Sequence, residues 1–154
     1  MPVTDIFILG LIQSAPLALA AIGFTIIYYL NGYINVAYGE YMTIGAYLAV
    51  TFTQTWGLNF FLSIFPIALL AGGASIATYL GIFRPAAKRG VPQTEMIILS
   101  IGVSFFLRYL IQSIYGPGIL SIDIGSSVSI SVLGIGLTTV QIVSLVLVAI
   151  ITVL

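Results

Sequence analysis

Charge is almost absent from this chain: four basic and four acidic residues are spread over 154 positions, 5% of the total, while 60% are hydrophobic. An ordinary soluble domain carries roughly 25% charged residues. A soluble fold of this size cannot hide that much apolar surface, whereas a lipid bilayer can. The chain therefore reads as an integral membrane protein. Its formal net charge is zero, so no basic or acidic excess points to nucleic acid as a partner. Cysteine and histidine are both missing. With them go disulfides, thiol chemistry and the commonest metal ligands, and most catalytic constellations.

The apolar residues gather into five stretches, at about 6–30, 41–55, 60–83, 94–115 and 138–154. This pattern predicts an all-α polytopic membrane protein with about five transmembrane helices in a single domain. Pro16 predicts a kink in the first stretch. The second is short and ends at Gln54 and Trp56, the latter an interfacial anchor. The last apolar stretch is still running at Leu154, and the expectation is that these residues are the N-terminal portion of a longer protein. The start, "MPVTDIF", has an acid and no base, unlike the positive n-region of a signal peptide.

One loop between the stretches is basic, "FRPAAKRGVPQTE", with Arg84, Lys88 and Arg89. The positive-inside rule puts it in the cytoplasm. The N-terminus then falls outside, as does the loop from Gly116 to Leu137, whose Gly, Pro and Ser residues suit irregular backbone or short strands. A re-entrant second stretch would reverse the N-terminus. Gly73, Ala77 and Gly81 repeat small residues at intervals of four on the third stretch, a signal for close helix packing in lipid.

Polar residues inside the apolar stretches are costly and carry the functional candidates. Ser100, Ser104, Arg108 and Gln112 recur every four residues and share one face of the fourth helix. That face should point into the bundle or toward a water-filled path. Arg108 either pairs with a carboxylate (Asp5, Glu40 or Asp123) to hold the bundle, or acts on the path itself. In "YYLNGYINVAYGEYM", residues 28–42, Asn31, Asn35, Tyr38, Gly39 and Glu40 stand among apolar runs. Two readings stay open for it. One is a polar turn at the cytoplasmic surface; the other is a broken or re-entrant segment near residues 31–41 that lines a path with exposed backbone groups.

These residues also carry a resemblance. Residues 23–50, with Ile34-Asn35-Val36-Ala37-Tyr38-Gly39-Glu40, resemble the I-N-x-A-x-G-E block of permeases of the branched-chain amino acid ABC importer family. Residues 83–107 resemble that family's Y-R-P-x-R loop and the I-x-x-I-G-x-S-x-x-L helix after it. The blocks stand in the family's order and spacing. Tyr38 departs from the histidine frequent there, and Ala87 from a second basic residue. The family's permeases are considerably longer. Their second half carries the cytoplasmic helix that docks on the ATPase.

The resemblance implies a permease subunit of an ATP-driven importer in a bacterial inner membrane. Its substrates would be small neutral or branched-chain amino acids, or small amides such as urea. Its partners would be a homologous second permease, two cytoplasmic ATPase subunits and an external substrate-binding protein. ATP and magnesium would be held by the ATPases, since no G-x-x-x-x-G-K-[ST] motif occurs here. The resemblance favours the path reading of Asn35, Gly39 and Glu40. From the residues alone, a small ion-coupled carrier or channel using Glu40 and Arg108, or a non-transporting scaffold, competes with an importer. An enzyme ranks last, because no paired carboxylate, His or Cys supplies acid–base or metal chemistry.

Overall fold

The computed structural model describes residues 3–118, 120, 130–132, 135–137 and 139–153, with side chains over most of this range. It is helical, as the apolar pattern predicts: α1 Val3–Asn31, α2 Tyr38–Val50, α3 Phe60–Thr78, α4 Arg84–Lys88, α5 Gln93–Tyr115 and α6 Thr139–Val153. A π-helical turn, Thr51–Thr55, extends α2, and a second, Tyr79–Phe83, joins α3 to α4 without a break. Two three-residue strands, β1 Ile130–Val132 and β2 Ile135–Leu137, pair antiparallel with Ser131 opposite Gly136. They fall in the loop whose composition suits short strands. α1 continues through Pro16. Three helical segments are long and apolar enough to cross a membrane: Gln13–Asn31, Phe60–Lys88 and Gln93–Tyr115.

Two compact units divide the chain, Met1–Ile27 with Ile124–Leu154, and Tyr28–Asp123. The first contains most of α1, the β1–β2 hairpin and α6. The second contains the last turn of α1 and everything through α5, and it holds the candidate site.

Within this second unit, α1 stops because Gly32 adopts φ +74°, a left-handed conformation that other residues reach only at a cost. Its amide closes the last turn on the Tyr28 carbonyl at 2.8 Å. Residues 32–37 then run non-helically. Burial alternates along them: Tyr33, Asn35 and Ala37 point in, while Gly32, Ile34 and Val36 point out. That is the two-residue period of extended chain, with the amide turned inward and the branched apolar side chains outward. An Asx turn ends the stretch. Asn35 Oδ1 accepts from the Ala37 amide at 3.1 Å, and the Tyr38 amide donates to the Asn35 carbonyl at 3.2 Å. α2 starts there.

The linker lies along α5. Gly32 sits beside Gln93, whose Nε2 would be 3.3 Å from a Cβ at that position. The Val36 amide donates to Ser100 Oγ at 3.0 Å. Further along, Thr51 and Tyr115 hydroxyls are 2.8 Å apart, and the Tyr47 and Tyr115 rings stack tilted at 4.7 Å. Linker and α2 therefore run parallel to α5 from its first residue to its last. At ~1.5 Å per residue, Ser100 is ~10 Å and Arg108 ~22 Å along a helix of ~34 Å. The second apolar stretch is short because extended chain covers the first third of that height.

Phe83, almost fully buried, anchors the core of this unit with Tyr33, Ala37, Tyr41, Met96, Val103 and Leu107. α2 packs on α3 through Gly45, where a Cβ would meet Ala71 and Ile67 at 3.9 and 4.0 Å. Asn59 caps α3 by accepting from the Phe61 amide. The Gly73, Ala77 and Gly81 stripe is exposed, and a Cβ on either glycine would meet nothing within 4 Å among the described residues. Close packing is thus visible at Gly45, where the spacing signal did not point.

Candidate functional site

Glu40 occupies the first turn of α2, where the helix dipole favours a carboxylate. It is 5% exposed. A buried carboxylate needs strong partners, and three donors converge on its Oε1: Ser104 Oγ at 3.1 Å, Arg108 Nε at 3.1 Å and Arg108 Nη2 at 2.8 Å. Of the carboxylates weighed as partners for Arg108, Glu40 is the one in contact; Asp123 and the side chain of Asp5 lie outside the described residues. The pair is lopsided. The Glu40 side chain is 6% exposed and that of Arg108 is 55% exposed, so the guanidinium presents its outer edge while the carboxylate is held within. Among the described residues, Glu40 Oε2 and Arg108 Nη1 make no hydrogen bond.

Both charges open onto a recess of about 320 Å³ lined by Glu40, Thr43, Tyr47, Arg108, Ile111 and Gln112. Glu40, Thr43 and Tyr47 stand at i, i+3 and i+7 on α2, and Arg108, Ile111 and Gln112 face them from α5. Non-helical backbone leads directly into the site. The Ala37 amide donates to Asn35 Oδ1 and the Val36 amide to Ser100 Oγ, whose hydroxyl donates to the Ile97 carbonyl at 2.7 Å, while the buried Tyr33 hydroxyl has no hydrogen-bond partner among the described residues.

A family comparison decides what kind of chain this is. The family described as "Branched-chain amino acid transport system / permease component" matches residues 6–154. The chain belongs to this permease family. Two curated relatives agree. "Probable branched-chain amino acid transport permease protein LivH" of Methanocaldococcus jannaschii is 30% identical over 119 residues, 77% of this chain. "High-affinity branched-chain amino acid transport system permease protein BraD" of Pseudomonas aeruginosa is 32% identical over 108 residues, 64% of this chain. The aligned parts are 36% and 34% of those relatives, so the chain spans about a third of the length of each. No solved structure matches it. Family and apolar helices together make it a multi-pass membrane protein of a transport system.

Within this permease chain, the sequence-derived candidates separate into groups. Glu40, Ser104 and Arg108 form the charged cluster, and Gln112 lines the recess beside it. Asn35 and Ser100 are buried, with hydrogen bonds to the linker backbone, and hold the chain that delivers Glu40. Asn31 ends α1, Tyr38 begins α2, and Gly39 faces open space; none of the three lines the recess. Arg84, Lys88 and Arg89 are exposed at the end of the continuous α3–α4 helix, where cations suit the helix dipole. Sequence reasoning missed Thr43 and Tyr47. Their spacing from Glu40 is the helical i+3 and i+7 signal, which becomes informative once Glu40 is known to start a helix.

Proposed function

We propose that this chain supplies part of the translocation path of an ATP-driven importer for small neutral or branched-chain amino acids. The observation that carries the reading is the Glu40–Arg108 pair in an open recess about two-thirds of the way along α5, reached by non-helical backbone. Ionisable groups and broken helices at membrane depth are costly, and they mark substrate paths. Family membership and the names of the relatives support the same reading. A second permease subunit, two cytoplasmic ATPases and an external binding protein complete the importer, which works in a bacterial inner membrane. This chain does no chemistry of its own: the charged site is one carboxylate locked to one guanidinium. A polar recess of this size also has room for small amides such as urea.

In this arrangement the loop with Arg84, Lys88 and Arg89 is cytoplasmic, and the crossings are the five apolar stretches, the second made of linker plus α2. A cysteine introduced by Lys88→Cys is expected to react with a membrane-impermeant maleimide only in inverted vesicles. Labelling from outside intact cells reverses the orientation.

Glu40→Gln keeps a hydrogen-bond acceptor for Ser104 and Arg108 but removes the negative charge. Expected is a fall in uptake of about tenfold or more with membrane levels unchanged, since charge-assisted bonds are roughly twice as strong as neutral ones. Radiolabelled uptake by the complete transporter in proteoliposomes measures it, and normal uptake removes Glu40 from the path. Uptake that survives ATP depletion but stops with an uncoupler makes the protein an ion-coupled carrier instead.

A further inference from the structure

The helix that carries α3 into α4 has one residue too many for a straight course. The side of α3 turned to α2 runs through Ser63, Ile67, Ala71 and Thr78. Ser63 is fully buried, a Cβ at Gly45 would meet Ile67 and Ala71, and Thr78 is half-buried. At 3.6 residues per turn, an uninterrupted α-helix brings Gly81, Ile82 and then Pro85 to that side. The core instead receives Phe83, 1% exposed, and Ala86, while Gly81 is exposed and Ile82 is 37% exposed. The inward positions thus come one residue late. The π turn Tyr79–Phe83 accounts for the delay: the Arg84 amide donates to the Tyr79 carbonyl five residues back, which takes up the extra residue. Proline does not force such a turn, since α1 and α3 continue as α-helix through Pro16 and Pro66.

The π register leaves one buried group unsatisfied. Phe83 packs on Tyr33 of the linker, with ring centroids 6.0 Å apart, and the buried Tyr33 hydroxyl has no hydrogen-bond partner among the described residues. Orphaned buried hydroxyls are costly, and folds rarely keep them. The α register offers an acceptor. It turns Gly81 inward, and the Gly81 carbonyl is the one that Pro85, having no amide, leaves free in an α-helix. Each register therefore has what the other lacks: one buries a phenyl ring, the other satisfies a hydroxyl. Two competing packings of one segment are what a bistable element requires.

We infer that Tyr79–Phe83 is a register switch. In its second state the π turn becomes α-helix, Ile82 replaces Phe83 against Tyr33, and the Tyr33 hydroxyl donates to the Gly81 carbonyl. Phe83 then faces outward beside the exposed Ile76, and α4 turns by about 100° around its axis. Arg84 and Lys88 turn with it, and the linker that delivers Glu40 is in contact with the switch through Tyr33. The switch is a property of the helix; its use in transport rests on the import reading above.

Fluorine NMR of the complete transporter in lipid nanodiscs tests this, with 4-fluorophenylalanine at position 83 as the probe. Two signals are expected, a major one from the ring packed on Tyr33 and a minor one from the ring turned outward. Tyr33→Phe removes the hydroxyl that favours the α register, so the minor signal should fall about tenfold relative to the major. Deleting Gly81 removes the extra residue and leaves Phe83 on the inward side of a plain α-helix. Only the packed signal should remain, with thermal stability unchanged and uptake lowered at least about tenfold. Should the deletion variant fail to assemble, Ile82→Phe with Phe83→Ile seats the ring in the α register. With the probe at position 82, the packed signal is then the one that Tyr33→Phe diminishes. A single signal from the unaltered complex, at rest and during ATP turnover, overturns the switch. So does a minor signal that survives deletion of Gly81 or ignores Tyr33→Phe. Normal uptake by a deletion variant with only the packed signal overturns its use in transport. Absence of ATP-driven uptake by the unaltered transporter rejects the import reading and not the switch, which the two signals decide.

Discussion

Replacing Arg108 by leucine is expected to destabilise the purified protein in nanodiscs by about 2–4 kcal/mol and to abolish uptake. Removing one partner of a fully buried pair costs roughly 3–5 kcal/mol, because the other charge is left uncompensated. Here the left-over charge is Glu40, 6% exposed, while Arg108 is 55% exposed and contributes less than a fully buried cation would. Thermal unfolding followed by tryptophan fluorescence measures the cost, with Trp56 as a reporter in this part of the protein. The double variant Glu40→Leu with Arg108→Leu separates stability from transport. Apolar replacement of both partners is often neutral, so stability should return while uptake stays lost. A double variant as unstable as the single one shows that the ion pair is not the source of the cost. A double variant that transports normally shows that the pair is structural only.

Ser100→Ala is the second large effect expected. The side chain loses one oxygen and almost no volume, so the change isolates a hydrogen bond. The Val36 amide donates to Ser100 Oγ from a stretch with no helical partner of its own. Orphaning a fully buried donor costs about 1–3 kcal/mol, and Val36, on an exposed position of the linker, puts this loss at the lower end of that range. The loss should appear as lower thermal stability and as faster hydrogen exchange at Val36 and its neighbours in the linker. Ser104→Ala makes the control, since Glu40 Oε1 keeps both of its bonds to Arg108. Equal effects from the two substitutions refute a special role for Ser100 in seating the linker.

Much of the fold was legible because one-dimensional signals set it. Long apolar runs become helices in lipid, and the five stretches coincide with the helices found. The polar residues at 100, 104, 108 and 112 do share a face of α5, because helical period depends only on spacing. Its four members nevertheless divide. Ser100 and Ser104 are buried against the linker and α2, while Arg108 and Gln112 are exposed at the recess. A periodic stripe says which residues share a side and not which neighbour covers each turn. The Gly73–Ala77–Gly81 stripe makes the same point. Small residues permit close approach, but α2 approaches α3 at Gly45 instead.

The sequence by itself determined the membrane class, the helices, and the presence of a rare carboxylate and a rare guanidinium among apolar spans. Those follow from local composition and from the cost of burying polar groups. Only the tertiary structure decided that Glu40 and Arg108 meet, across 68 residues of chain. It also decided that residues 32–37 lie along α5, because the contacts that hold them come from another helix. Pairings at such separation leave no trace in local periodicity. They exist because a buried carboxylate and an uncapped amide must each find a partner, and the fold brings Arg108 and Ser100 to them.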